Sequence, residues 1–205
     1  ADEITSQVYN MEPNANETFS ASSDWADPSG WMLHEGAGTN IWVLPRFGGY
    51  KNVLEMYDNT STEYTDVYRD FSQSQTSGTV YATMMAKQID QSQEAFAMAA
   101  GIGFVAKFSF NSSGTFAYGS SGSSYDSGVA YEANRWYTFK LSFDSGPEKY
   151  SVWYWNETTL SWVTIVNDVN FYQSTGTLTR IHMQGNIVST GTVLVSAIDY
   201  SWADG

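Results

Sequence analysis

Apolar and polar residues alternate along most of this chain with a period of two. Between Arg135 and Phe143, Tyr137, Phe139, Leu141 and Phe143 fall on one side, and Trp136, Thr138, Lys140 and Ser142 on the other. That is the signature of a half-buried strand. The turn residues Asp144-Ser145-Gly146-Pro147 follow, then strands over Tyr150–Trp155 and Leu160–Val166, so the stretch reads as an antiparallel meander. Near the C-terminal end, Thr192–Trp202 sets Leu194, Ile198, Tyr200 and Trp202 against Val193, Val195, Ala197 and Asp199. Both faces are mostly apolar, which predicts a central strand covered on both sides.

Upstream, strands are predicted over Asn40–Leu44, Lys51–Tyr57, Asp66–Phe71 and Gly78–Gln88, with turns at Gly48-Gly49 and Asp58-Asn59-Thr60-Ser61. Gly114 and the Ser/Gly-rich run Gly119–Gly128 read as flexible loops around a short strand at Thr115–Tyr118. Asp90-Gln91-Ser92-Gln93 has the form of a helix cap, with the Ala/Met run to Ala100 as the helix body and Gly101 as its stop. Beyond it Ile102, Phe104, Ala106, Phe108 and Phe110 alternate, so a short helix or a bulged strand feeding a long strand is expected. About ten to twelve short strands with at most one short helix make an all-β sandwich or barrel. No repeat or linker interrupts it, and a single domain over residues 1–205 is expected.

Composition narrows the partners. The chain has 9 Lys+Arg against 22 Asp+Glu, a net charge of −13, which leaves no cationic footprint for nucleic acid. No apolar run approaches the roughly 18 residues of a membrane span, so membrane insertion is not expected. Cysteine is absent, which removes disulfides and thiolate metal sites. Asn16, Asn59, Asn111 and Asn156 each open an Asn-x-Ser/Thr sequon, and the chain starts at Ala-Asp-Glu. Both features suit a secreted protein, extracellular or at the cell surface.

The order of elements is more specific. A strand at Val8-Tyr9-Asn10-Met11-Glu12 precedes a Gly30-Trp31 pair, Asn52-Val53-Leu54-Glu55-Met56-Tyr57-Asp58-Asn59, and Val67-Tyr68-Arg69-Asp70-Phe71. Then come Gly78-Thr79-Val80, the run from Asn134 to Asp144, Tyr150-Ser151-Val152-Trp153-Tyr154, and the closing Ile198-Asp199-Tyr200. This series resembles the laminin-G-like, concanavalin A-like jelly-roll domains of polysaccharide-binding and polysaccharide-processing proteins. The resemblance implies an antiparallel β-sandwich, a saccharide-binding face, and in some members a structural calcium ion. In such domains the opening and closing strands lie together, so the resemblance names Glu12, Asp27 and Asp199 as the ligands for Ca2+. Each element is a degenerate structural pattern, so it supports a theme rather than an activity.

Two groups of residues carry candidate chemistry. Indole faces stack on the C–H faces of sugars, and Trp136, Trp153 and Trp155 are the candidate platform. Trp153 and Trp155 lie opposite Tyr150, Val152 and Tyr154, so both faces of that strand are aromatic and a sandwich hides only one. The second group is the strand Thr179-Arg180-Ile181-His182-Met183-Gln184, which puts Arg180, His182 and Gln184 on one face. Such a row suits an acidic sugar, and Arg69 and Lys87 are candidates to join it. The plain alternatives are core tryptophans and the solvent face of an amphipathic strand. Glu55 and Glu94 lack a partner carboxylate at strand spacing, so the paired carboxyls of a glycoside hydrolase are not in view.

Three functions fit these readings. The favoured one is a secreted, non-catalytic carbohydrate-binding module. A polysaccharide lyase is the second, with His182 as base, Arg180 on the uronate carboxylate and Tyr137 as proton donor. The third is a self-associating subunit of an extracellular filament or surface layer. With a charge of −13, a neutral glycan is the expected partner.

Overall fold

The structure is a computed structural model that describes residues 15–89, 94–185 and 190–202. The expected strand at Val8–Glu12 lies outside them. Among the described residues the chain forms fourteen strands and no helix. They are β1 (Met32–Glu35), β2 (Thr39–Phe47), β3 (Tyr50–Asp58), β4 (Thr65–Gln75), β5 (Ser77–Ala86), β6 (Glu94–Ala100) and β7 (Gly103–Phe110). The rest are β8 (Thr115–Ser120), β9 (Ser123–Ala130), β10 (Trp136–Asp144), β11 (Lys149–Asn156), β12 (Ser161–Asn170), β13 (Leu178–Gln184) and β14 (Gly191–Tyr200). They build two antiparallel seven-stranded sheets, ordered β1-β4-β13-β6-β7-β8-β9 and β12-β11-β10-β5-β14-β3-β2. The chain passes repeatedly from one sheet to the other. Between β4 and β5 it crosses with only Thr76 in between, whose carbonyl accepts the Ser145 amide at 2.7 Å. The result is a concanavalin A-like sandwich.

The core follows from the alternation. Tyr137, Phe139, Leu141 and Phe143 of β10 face inward onto Phe108, Phe110 and Phe116 of the first sheet. Phe139 meets Phe108 at 4.5 Å and Phe116 at 5.3 Å between ring centroids. Each such ring, removed from water, contributes about 1.5–3 kcal/mol. Tyr150 reaches across from the second sheet. Its hydroxyl accepts the Gly119 amide at 3.1 Å and is directed at the carbonyls of Lys107 (2.8 Å) and Gly119 (2.5 Å). Burial pushes its phenol well above the usual range, so it stays neutral while holding β7 and β8 in place.

One open choice is resolved and three expectations change. Of the two readings of the Ala/Met run, the strand is the one found: β6 pairs with β13 on one side and β7 on the other, and Asp90-Gln91-Ser92-Gln93 lies outside the described residues. Two-sided ladder pairing overrides the high helix propensity of Ala and Met. The Ser/Gly run contains an edge strand, β9, whose exposed residues gave no alternation to read. In β14 a bulge between Val195 and Ala197 shifts the phase. Val193 and Val195 therefore join Ile198 in the core, and Leu194 packs on the outside of the sheet. A bulge in β7 likewise buries both Val105 and Ala106 and leaves Ile102 at a turn, 90% exposed.

Candidate functional site

The two candidate groups lie on opposite outer faces of the sandwich. Trp136, Trp153 and Trp155 belong to β10 and β11 of the second sheet, while Arg180, His182 and Gln184 belong to β13 of the first. No single groove holds both.

On the outside of the second sheet, register aligns Thr164, Trp153, Lys140, Tyr81 and Asp199 in one row across five strands. At strand spacing this row runs for roughly 19 Å. The neighbouring row contains Trp162 and Trp155, paired in register and set edge to face at 5.4 Å. Lys140 Nζ stands 4.9 Å from the Trp153 ring and 5.7 Å from the Trp162 ring. Trp162 also lies 6.1 Å from Tyr81. Trp153, Trp155 and Trp162 are each partly exposed. Beside them are the half-buried hydroxyls of Thr79 and Ser142, in contact at 2.8 Å, while Thr83 and Thr138, 3.1 Å apart, are buried. Flat rings interleaved with hydroxyls and one cation match the amphipathic surface of a sugar chain.

Trp136 plays a different part. Its Nε1 donates to the Gly48 carbonyl at 3.0 Å and its ring meets Tyr50 at 4.7 Å. The β2–β3 turn at Gly48-Gly49 has positive φ at both glycines and comes so close that a Cβ on Gly48 would lie 2.5 Å from Trp136 Nε1. Trp136 thus closes a small outer cluster with Leu44, Val53, Met85 and Leu194. Lys87, on the same face, is bound to Glu55 at 2.7 Å, and Glu55 also accepts the Trp42 indole at 2.9 Å. At the far edge Trp25 stands 5.7 Å from Trp42 and is 62% exposed.

The first sheet presents a different surface. Its outer row runs Tyr68, His182, Ala97, Lys107. His182 is 4% exposed, its Nε2 bonds the Asp66 carboxylate, and its Nδ1 has no partner. Its ring packs on Phe104 at 4.7 Å and Tyr68 at 5.7 Å. Arg180 grips Asp70 through Nε (2.7 Å) and Nη2 (3.2 Å) and lies over Tyr68 at 4.0 Å. Gln184 is level with Asp66 and partly buried.

Arg69 turns the other way, sharing its side of β4 with Val67 and Phe71. It pairs with Glu17 at 3.2 Å, and Glu17 also accepts the Trp31 indole at 3.0 Å. Tyr137 lies between the sheets, its hydroxyl accepting the Glu132 amide at 2.9 Å, and burial raises its phenol. It cannot serve His182 as proton donor. The lyase set therefore comes apart: its acid is on the wrong side of the sheet and its arginine is held by Asp70.

Of the residues named for calcium, Glu12 lies outside the described residues, Asp27 is exposed, and Asp199 accepts the Asn16 amide at 3.2 Å. Among the described residues no three Asp, Glu or His side chains gather into a metal-holding group.

No protein-family model matches the chain, and no curated protein does. Solved structures do resemble it. A sialidase superposes on 93% of the chain with TM-score 0.74 and 14% identity, and the chain spans 18% of that protein's length. Arcelin-5, a lectin-like defence protein from Phaseolus vulgaris, matches 89% of the chain and 96% of its own at TM-score 0.58 and 9% identity. The carbohydrate-binding module CBM66 from Bacillus subtilis matches 84% of the chain and 96% of its own at TM-score 0.51 and 10% identity. At these identities the likeness shows the fold.

Proposed function

We propose that this protein is a carbohydrate-binding module that holds a neutral polysaccharide on the outer face of its second sheet. The row Trp153–Lys140–Tyr81, with Trp155 and Trp162 beside it, carries the reading. Three partly exposed indoles on a sheet exterior keep apolar area in water that a folded chain has no reason to leave uncovered, unless a ligand covers it. The half-buried hydroxyls of Thr79 and Ser142 supply directional contacts that stacking lacks. Lectin-like and carbohydrate-binding structures on the same fold support the theme. The reading puts the protein outside the cell, where such polymers are met.

Affinity electrophoresis through gels containing neutral polysaccharides tests it. Retardation is expected in at least one gel and is lost in the Trp153→Ala, Trp155→Ala double variant. Unretarded migration through a broad neutral panel would overturn the reading.

A further inference from the structure

At 62%, Trp25 is more exposed than any other Trp, Tyr or Phe among the described residues. A single apolar side chain in water is ordinary. Its surroundings are not. The backbone at Trp25 has a φ of 59°, in the left-handed region that glycine and asparagine enter readily and a bulky side chain does not. Hydrogen bonds stitch that backbone to the outer edge of β2. The Trp25 amide donates to the Val43 carbonyl at 2.7 Å, and the Val43 amide donates to the Ala26 carbonyl at 2.9 Å. The main chain thus holds the ring out from the sheet edge, and the fold carries strain at a residue whose indole it leaves mostly in water.

The ring that Trp25 meets is held as firmly. Trp42, partly exposed, stands 5.7 Å away at an interplanar angle of 81°, so the two indoles form a corner. Trp42 Nε1 donates to Glu55 Oε1 at 2.9 Å, and Lys87 Nζ donates to Glu55 Oε2 at 2.7 Å while lying over the Phe47 ring. Glu55 is buried, so this link fixes the plane of Trp42. Asn40 and Tyr57, paired in register two residues along from Trp42 and Glu55, share this side of the sheet. Both are half-buried and add an amide and a phenol to the patch.

The corner is on the same outer face as the Trp153 platform but does not run into it. Register carries Trp42 through Glu55, Leu194 and Met85 to Trp136. In the middle of that row Leu194 and Met85 are buried in one cluster with Leu44, Tyr50 and Val53 of the β2–β3 hairpin. From β11 to β2 is five strand spacings, on the order of 24 Å. Two indole surfaces are displayed with a covered stretch between them.

We propose that the Trp25–Trp42 corner is a second stacking site for the same neutral polysaccharide, so that this face holds one long chain at two separated points. The inference rests on the reading of this face as the one that meets sugar. A sugar ring lays its C–H face on the open indole of Trp25, and the polar groups of Asn40 and Tyr57 are in the same patch to meet hydroxyls. Two weak contacts joined by one polymer act together, so the arrangement selects long chains over short ones.

Indole N–H spectra recorded with cellotriose, xylotriose, mannotriose and laminaritriose test the proposal, together with affinity gels containing the corresponding polymers. At least one triose is expected to shift the signals of Trp25 and Trp42 as well as that of Trp153. The matching polymer should bind about a hundredfold more tightly than the triose. Trp25→Gly removes the ring and suits the left-handed backbone, so its melting temperature should not fall. It should abolish the triose shift at Trp42, keep the shift at Trp153, and weaken polymer binding about tenfold or more. A triose that shifts Trp153 and leaves Trp25 and Trp42 in place overturns this proposal and leaves the platform reading standing. The reverse pattern upholds the corner and overturns the platform. Unmoved signals at both places with all the trioses overturn both. Polymer binding undiminished in Trp25→Gly also overturns the proposal. So does self-association that Trp25→Gly abolishes, because a second copy of the chain then covers the corner.

Discussion

The two outer faces use aromatic residues in opposite ways. On the second sheet, Trp153, Trp155 and Trp162 lie partly open to solvent and are packed chiefly against one another and Lys140. On the first sheet, Tyr68 and Phe104 enclose the buried His182 that holds Asp66. One face displays its rings and the other uses them to shield polar groups. Ring content alone thus says little about binding. What distinguishes a platform from packing is whether removing the ring is felt by the fold.

Stability separates the faces most sharply. Replacing His182 by Ala strips Asp66 of its partner in a mostly buried pair, which costs about 3 kcal/mol. Calorimetric melting should show Tm lower by roughly 6–12 °C at this chain length. Trp153→Ala is expected to move Tm by no more than about 2 °C, since that side chain is on the sheet exterior and already partly open to water. Equal losses in the two variants would erase the distinction.

Binding should reverse the order. Each of Trp153 and Trp155 is expected to contribute about 1.4 kcal/mol of stacking, or a factor of ten, so the double alanine variant should weaken neutral-glycan affinity by about a hundredfold. His182→Ala, assayed below its melting range, should leave that affinity within about twofold. A fall in both would mean that the faces communicate.

The smallest effect concerns the two cations set on rings, Lys140 and Lys107. Burial holds the folded pKa of Lys107 below the ordinary lysine value of 10.5. Between those two values the unfolded chain carries a proton that the folded one lacks, so this residue's contribution to stability rises with pH there. The melting temperature of Lys107→Met minus that of the parent should therefore become less positive, or more negative, as pH is raised toward 10.5. A difference that does not change with pH would show that the lysine is not desolvated.

Much of this architecture is legible in the period-two alternation of β10 and β11, where inward Phe and Tyr residues face outward Trp. Bulges hide the rest. A single extra residue at Ser196 exchanges the faces of β14, and no local signal marks it. β1 and β9 are edge strands with little buried area, so they carry almost no pattern. For Arg69 the signal was present, because the same rule puts it on the side of Val67 and Phe71, both packed toward the core. Trp162 and Lys140 alternate as clearly as Trp153 does, but only the register of β10, β11 and β12 brings them to it. Alternation says which residues share a face of one strand. Which strands share a sheet is set by pairings far apart in sequence, and so Arg180 and Trp153 belong to different faces.

The central claim is that partly exposed indoles of the second sheet meet the sugar. The chain has eight tryptophans, each with a separate indole N–H resonance. A titration with an oligosaccharide from whichever neutral polymer retards the protein should shift the signals of Trp153, Trp155 and Trp162. Those of Trp31, buried against Glu17, and Trp136, tied to Gly48, should stay in place. Unmoved signals at all three platform residues under saturating ligand would contradict the account.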